Sequence, residues 1–417
     1  MNQTPRGLRP HIILAGPCNG GKSSLLNAIM DADIALVSAQ AGTTTDPVYK
    51  NMELLPFGPV TFVDTPGLDD QSQLGTQRVG RSKTAITGAD LALYVSRPSQ
   101  VLAAGGLQAA LGLAALPPDI PLTVVLTHQD MPIEAASAAS LLAGFADAEP
   151  GAALSTKQAG PALSVLAVSS ATGLGLDALK DQLVAQLSGR KHEERRLLEN
   201  LVRPGQLILM VVPIDLEAPA GRLILPQVQA IREVLDSDSA SLVVKEREID
   251  WALALLKEPP ALAITDSQVV LKAAAAIPES IPLTTFSILF SRQKGDLEDF
   301  VRAARVIDTL RDGDRVIIAE TCSHKQLCDD IGRVKIPRWL RQYTGRELDV
   351  RVISGALPPD SAEAKLIIHC GGCMITRRMM LSRLGTAAAF KVPVTNYGIA
   401  ISHCQGVLDR VIKPFGL

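Results

Sequence analysis

The stretch Gly16-Pro17-Cys18-Asn19-Gly20-Gly21-Lys22-Ser23 fits the spacing G-x-x-x-x-G-K-[ST]. The apolar run "HIILA" precedes it and "LLNAIM" follows, so it stands between a buried strand and an amphipathic helix, the setting the pattern requires. Few folds admit that arrangement. Its glycines let successive backbone N–H groups curl around an anion, and the helix N-terminus adds partial positive charge. Lys22 is expected to reach the β- and γ-phosphates of a nucleotide and the Ser23 hydroxyl to join a Mg²⁺ shell, with Gly20, Gly21 and Ser24 as further nucleotide contacts.

The companions of this loop fall in a telling order. Asp64-Thr65-Pro66-Gly67 ends the apolar run "VTFV": a carboxylate there can hold Mg²⁺ through water, and Gly67 can meet the γ-phosphate. Between the two motifs "AGTTTD" offers Thr43, Thr44 and Thr45, of which Thr44 is the expected metal-binding switch hydroxyl. "THQD" follows "LTVVL", and "SSAT" follows "VLAV". Loops gathered at the carboxyl ends of successive strands describe a doubly wound, mostly parallel sheet.

As a set, these residues resemble the G-protein GTPases over about residues 10 to 190. The resemblance implies GTP hydrolysis, with Lys22, Thr44 and Gly67 in the catalytic machinery. One element departs: where the family reads the base with N-K-x-D, this chain has Thr127-His128-Gln129-Asp130. Asp130 can still accept from the guanine N1 and N2 edge, and His128 can stack where the lysine stem lies. Thr127 replaces the asparagine's contacts only in part, so guanine selectivity is less secured than nucleotide binding. Ser170 and Ala171 supply the second base loop, the Ala171 N–H meeting O6. Leu68 stands where Ras-like enzymes carry a water-orienting glutamine. Asn19 matches the position that, in the potassium-activated, MnmE-like branch, helps hold a K⁺. Turn chemistry is the plainer reading of Asn19, and Leu68 tips the balance to potassium. Slow, K⁺-stimulated hydrolysis serving a regulatory role is the expectation.

At 417 residues the chain exceeds one ordinary core. We expect three α/β domains: a G domain at 1–190, a dimerisation domain with its linker helix at 191–278, and a third domain at 279–417. The charged segment "GRKHEERRLLENLVRPG" reads as a helix leading to a boundary at Pro204-Gly205. The middle segment alternates strands ("LILMVVPI", "SLVVKE", "ALAIT") with helices ("LPQVQAIREVL", "REIDWALALLKE", "SQVVLKAAAAI"), and its modest core should lean on a neighbour or a second copy. The last segment begins with "TTFSILFS" as a strand and continues with the helix "GDLEDFVRAARVIDTL" and the strands "DRVIIAE", "LDVRVIS", "AKLIIH" and "VPVTNYG".

Cysteine use is lopsided. Cys18 stands alone, while Cys322, Cys328, Cys370, Cys373 and Cys404 crowd the C-terminal part. The N-terminus has no apolar core before a cleavage site and no run is long enough to span a bilayer, so a cytoplasmic, reducing setting with no membrane partner is expected, and a cysteine cluster there suggests metal or redox chemistry. Cys322-Ser323-His324 follows "RVIIAE" and His369-Cys370-Gly371-Gly372-Cys373 follows "KLIIH", so a parallel sheet brings both to one edge. Iron–sulfur, zinc (with His324 or His369 as a fourth ligand) and a redox dithiol all suit such thiols. Cys328 and Cys404 read as packing residues, and Asp329 and Asp330 as loop or cap residues ahead of weak oxygen ligands.

C-x-H followed by H-C-x-x-C behind a G domain resembles the HydF family of [FeFe]-hydrogenase maturation GTPases. "PIDLEAPAGRLILPQVQAIREVLDSD", "ITDSQ", "DDIGRVKIPRWL" and "VPVTNYGIAISHCQG" extend the likeness across nearly the whole chain. The resemblance implies a homodimeric scaffold with a [4Fe–4S] cluster on Cys322, Cys370 and Cys373, and with His324 and His369 as candidate further ligands. Such a scaffold receives a diiron precursor from radical-SAM maturases and passes it to apo-hydrogenase. The alternative is a ribosome- or tRNA-associated G protein with a C-terminal structural zinc. The formal charge of −2 and 3% aromatic content argue against a nucleic-acid face.

Overall fold

A computed structural model describes residues 7, 9–31, 38–39, 48–65, 86, 88–114, 116, 120–143, 163–191, 195–214, 223–321, 330–373 and 375–417. The chain divides into two compact units, Met1–Glu193 and Glu194–Leu417.

In the first unit, seven strands form one sheet among the described residues: β1 (His11–Ala15), β2 (Ser38–Ala39), β3 (Val48–Leu54), β4 (Gly58–Asp64), β5 (Leu91–Ser96), β6 (Leu122–Leu126) and β7 (Leu163–Ala167). Their spatial order is β2-β3-β4-β1-β5-β6-β7. From β4 to β7 every pairing is parallel, while β3 runs antiparallel to β4 and β2 to β3. β1 and β5 are buried along their whole length, as strands covered on both faces must be, which is why they read as unbroken apolar runs. Helix Lys22–Asp31 closes one face by burying Leu25, Leu26 and Ile29 against Ile12 and Leu14. The expected doubly wound sheet is therefore present, with an antiparallel hairpin added at one edge.

Among the described residues the second unit holds two four-stranded parallel sheets. β8 (Leu207–Val211), β9 (Ala240–Val244), β10 (Leu262–Thr265) and β11 (Leu283–Thr285) stand in the order β11-β10-β8-β9. β12 (Arg315–Glu320), β13 (Asp349–Ser354), β14 (Leu366–His369) and β15 (Val394–Asn396) stand in the order β13-β12-β14-β15. One apolar cluster runs through both, from Leu209, Val211 and Ala263 to Val316, Ile318 and Ile368. The modest middle core thus does lean on its neighbour.

Two local expectations are corrected. "TTFSILFS" is not one strand: β11 ends at Thr285, whose hydroxyl accepts from the Ile288 N–H at 3.2 Å and starts helix Phe286–Lys294. The middle sheet accordingly continues past residue 278. The charged linker does not carry a helix to Pro204 either. Helix Leu176–Lys191 ends at Lys191, and the Glu233 carboxylate accepts from the Leu197 and Leu198 amides at 2.9 and 2.8 Å, fixing a turn that buries both leucines.

Candidate functional site

The phosphate loop is forced into shape by close backbone passage. A Cβ on Gly16 (φ +145°) would lie 2.1 Å from the Val95 carbonyl oxygen, and one on Gly20 would lie 2.7 Å from the same atom, so side chains are barred where the loop passes β5. Asn19 sits in the left-handed region at φ 58°. Lys22 is buried to 8% exposure, its ammonium donating to the carbonyls of Gly16 at 3.1 Å and Pro17 at 2.7 Å. Ser23 and Ser24 open the helix on its exposed side.

Because β1 pairs with β4 at Leu14↔Asp64, the Asp64 carboxylate arrives beside the helix start, and Ser23 Oγ donates to its Oδ2 at 2.7 Å. Its buried Oδ1 has no hydrogen-bond partner among the described residues. A hydroxyl and a carboxylate oxygen side by side fit Mg²⁺, which Ser23 and Asp64 would hold. Thr44 and Gly67, with Thr43, Thr45 and Leu68, lie outside the described residues.

The base-reading loop is anchored by the residue that replaces the motif's asparagine. Thr127, 1% exposed, donates from Oγ1 to the Gly20 carbonyl at 2.8 Å, and with that hydroxyl proton committed, His128 Nδ1–H donates to Thr127 Oγ1 at 2.8 Å. Asp130 accepts from Ser169 Oγ at 2.6 Å; this bond first, then a backbone hydrogen bond, holds its carboxyl below the usual aspartate range. Ser169 also takes the Thr172 N–H at 3.2 Å, tying the Ser170–Ala171 loop to the Asp130 loop. Sequence reasoning chose Ser170 and missed Ser169; the paired serines after a buried strand were the available signal. It also missed Arg97 and Gln100 after β5, which donate to the Asn19 and Cys18 carbonyls at 3.1 and 3.0 Å.

In the second unit, β12 and β14 are parallel neighbours with Ala319↔His369 in register, and the Cys370 N–H donates to Ala319 O at 2.9 Å. Thr321, immediately before Cys322, consequently meets Cys370: its Oγ1 lies 2.8 Å from the sulfur. Cys322, His324 and Cys328 lie outside the described residues. Among the described residues no three His, Cys, Asp or Glu side chains group as metal ligands. Cys370 and Cys373 are half-buried on one tight turn, where Gly372 takes φ +62° and a Cβ would sit 2.7 Å from Met380 Cε. The turn is held from below by Lys294, 3% exposed, which donates to the carbonyls of Gly372 at 2.6 Å and Ile375 at 2.7 Å and lies 5.3 Å from the Phe290 ring centre. Thr376 caps helix Arg377–Ala389 just beyond, its hydroxyl accepting from Met379 N–H.

His369 is 3% exposed with both ring nitrogens engaged: Nδ1–H donates to Cys370 O at 2.7 Å, and Nε2 accepts from Arg383 at 3.2 Å. In this conformation it shapes the turn rather than offering a lone pair to a metal. Burial pushes the Cys404 thiol up to about 12, as suits a packing residue. Asp330 caps the turn ahead of Arg333, its Oδ1 accepting that N–H at 2.8 Å.

The first unit is therefore a P-loop GTPase domain, built to bind GTP and Mg²⁺ and to hydrolyse the nucleotide. Its sequence agrees with a family model described as 50S ribosome-binding GTPase over residues 11–127. Two further models match beyond it, the hydrogen maturase F dimerization domain over 197–295 and the hydrogen maturase F tetramerization domain over 298–414. Together these two take in more than half of the chain, which belongs to the hydrogen maturase F family and carries its self-association domains. Curated relatives of the G domain include the tRNA modification GTPase MnmE of Alkalilimnicola ehrlichii, 30% identical over 54% of this chain and 46% of that protein. The MnmE of Neisseria meningitidis serogroup B is 33% identical over 44% of this chain and 36% of that one. The chain thus spans less than half the length of these relatives. Among solved structures, a point variant of Aquifex aeolicus Era bound to GDP·AlF₄⁻ is 17% identical with a TM-score of 0.33, covering 59% of this chain and 98% of that one. No helix among the described residues is long and apolar enough to cross a membrane.

Proposed function

We propose that the chain is a GTP-switched scaffold of hydrogenase maturation: it holds a [4Fe–4S] cluster on Cys322, Cys370 and Cys373, receives a diiron precursor from radical-SAM maturases and delivers it to apo [FeFe]-hydrogenase. The observation that carries this reading is the thiol turn of Cys370 and Cys373 at a parallel sheet edge, next to the position that precedes Cys322, within a hydrogen maturase F chain. The donor set suits iron–sulfur: soft sulfurs on a tight turn, with Lys294 and Arg383 beside it to balance anionic charge. When bound, the cluster supplies an iron with an exchangeable position. The chain's residues orient the thiols and exclude water from the turn's inner side. His324 and His369 are candidate further ligands, His369 only after giving up its Arg383 contact.

In the G domain Lys22, Thr44 and Gly67 act on the phosphates, Asp130 and Ala171 read the base, and Asn19 takes K⁺. The reading is tested by anaerobic iron and sulfide quantification with EPR on reduced protein. Wild type yields about four irons per chain, and Cys370→Ser loses them while GTP hydrolysis stays near wild type. A colourless wild type holding one zinc, or parallel loss of both properties in Cys370→Ser, overturns it.

A further inference from the structure

The motif N-K-x-D puts a cation at its second position, and this chain has His128 there. A guanidinium nevertheless reaches the same cavity. Arg97, from the loop after β5, and His128 both line a cavity of ≈ 430 Å³ beside Asn19, Gly21 and Gln100.

The carbonyls of the phosphate loop explain what Arg97 does there. All five from Gly16 to Gly20 are met by side-chain donors: Lys22 takes those of Gly16 and Pro17, Gln100 Nε2 that of Cys18, Arg97 Nε that of Asn19, and Thr127 Oγ1 that of Gly20. Turning carbonyls outward aims the neighbouring N–H groups inward, where they can converge on an anion, although in this structure the Gly20 N–H donates to the Pro17 carbonyl at 3.3 Å. When Lys22 leaves its two carbonyls to meet a phosphate, three caps remain: Gln100, Arg97 and Thr127. They are themselves fixed. Gln100 Oε1 accepts from the Arg97 N–H at 3.2 Å, and the helix that carries Gln100, Pro98–Ala103, is tied at its start by buried Glu134, which accepts from Ser99 N and Oγ at 3.0 and 2.7 Å.

We propose that Arg97 supplies, from the loop after β5, the cation that the base-reading loop lacks at position 128, and that Arg97, Gln100 and Thr127 form one clamp holding the phosphate loop in its nucleotide-accepting shape. They are positioning residues: they act on the nucleotide through the loop's backbone. Arginine suits the post because it is charged at every working pH.

The test is fluorescent-GDP affinity together with the KM and kcat of GTP hydrolysis, on the full chain with saturating Mg²⁺. Arg97→Ala weakens nucleotide binding about tenfold, the worth of one charge-assisted hydrogen bond at an exposed site, and the loss falls on KM rather than kcat. Arg97→Lys recovers most of it. His128→Lys added to Arg97→Ala also recovers it, by returning the cation to the motif position, which a general loss of structure could not do. Unchanged affinity in Arg97→Ala overturns the proposal, and so does a loss that neither Arg97→Lys nor His128→Lys repairs.

Discussion

Replacing Lys294 by methionine isolates what its buried ammonium contributes to the cysteine turn. Methionine refills most of the volume, so the change is chiefly the loss of the ammonium's hydrogen bonds, among them, within the described residues, those to Gly372 O and Ile375 O. A hydrogen bond to a charged group contributes about 1.5–3 kcal/mol, and relief of the buried ammonium's desolvation returns part of the sum, leaving a net loss of about 2–4 kcal/mol. Both tryptophans, Trp251 and Trp339, lie in the Glu194–Leu417 unit, so selectively excited tryptophan fluorescence during urea unfolding follows that unit alone. With a denaturant slope of about 2–3 kcal/mol/M the midpoint falls by about 1 M. In the folded variant Cys373 is alkylated by iodoacetamide faster than in wild type, because the turn has lost its floor. A midpoint within about 0.2 M of wild type, with unchanged alkylation, would refute the view that the ammonium fixes these carbonyls.

Three further outcomes follow from the G domain. Gly16→Ala, which sets a Cβ 2.1 Å from Val95 O, lowers nucleotide affinity at least about 100-fold, read by fluorescent-GDP titration. Asp130 has a depressed carboxyl pKa, so the guanine contact proposed for it would be present above the ordinary aspartate value of about 3.9 and lost only as pH falls through the lower folded value. Ser169→Ala moves that acid loss towards neutral pH, and GDP affinity against pH shows it; coincident profiles would remove Ser169 from the account. Exchanging Na⁺ for K⁺ speeds GTP hydrolysis if Asn19 holds the ion, and equal rates in the two salts remove that role.

What could be read in the sequence follows how locally each feature is encoded. The strands β1, β5 and β6 announce themselves because burial on both faces demands unbroken apolar runs, and the phosphate loop because Gly16 and Gly20 are imposed by contact with one neighbouring strand. β3 escaped notice: with only its end fully buried, "VYKNMEL" lacks that signature, and its strandhood comes from pairing with β4. "TTFSILFS" misled because β-branched and aromatic residues suit a strand, yet the Thr285 hydroxyl starts a helix whose apolar residues are buried in the core. Arg97, Ser169 and Lys294 were illegible for a common reason. Each acts on a loop at least 39 residues away in the chain, and no local pattern records such a meeting. His369 was visible as a candidate ligand, but not its commitment to Arg383, which depends on how the following helix lies.

Helix Phe286–Lys294 begins at a strand of the sheet spanned by the dimerization model and ends at the residue gripping the thiol turn. Nine residues, a rod of about 13 Å, separate the two ends. With no glycine or proline inside it to act as a joint, a tilt of β11 would carry over to the floor beneath Cys373. The strand end of the middle sheet and the Cys370–Cys373 turn are thus joined by a single stiff shaft.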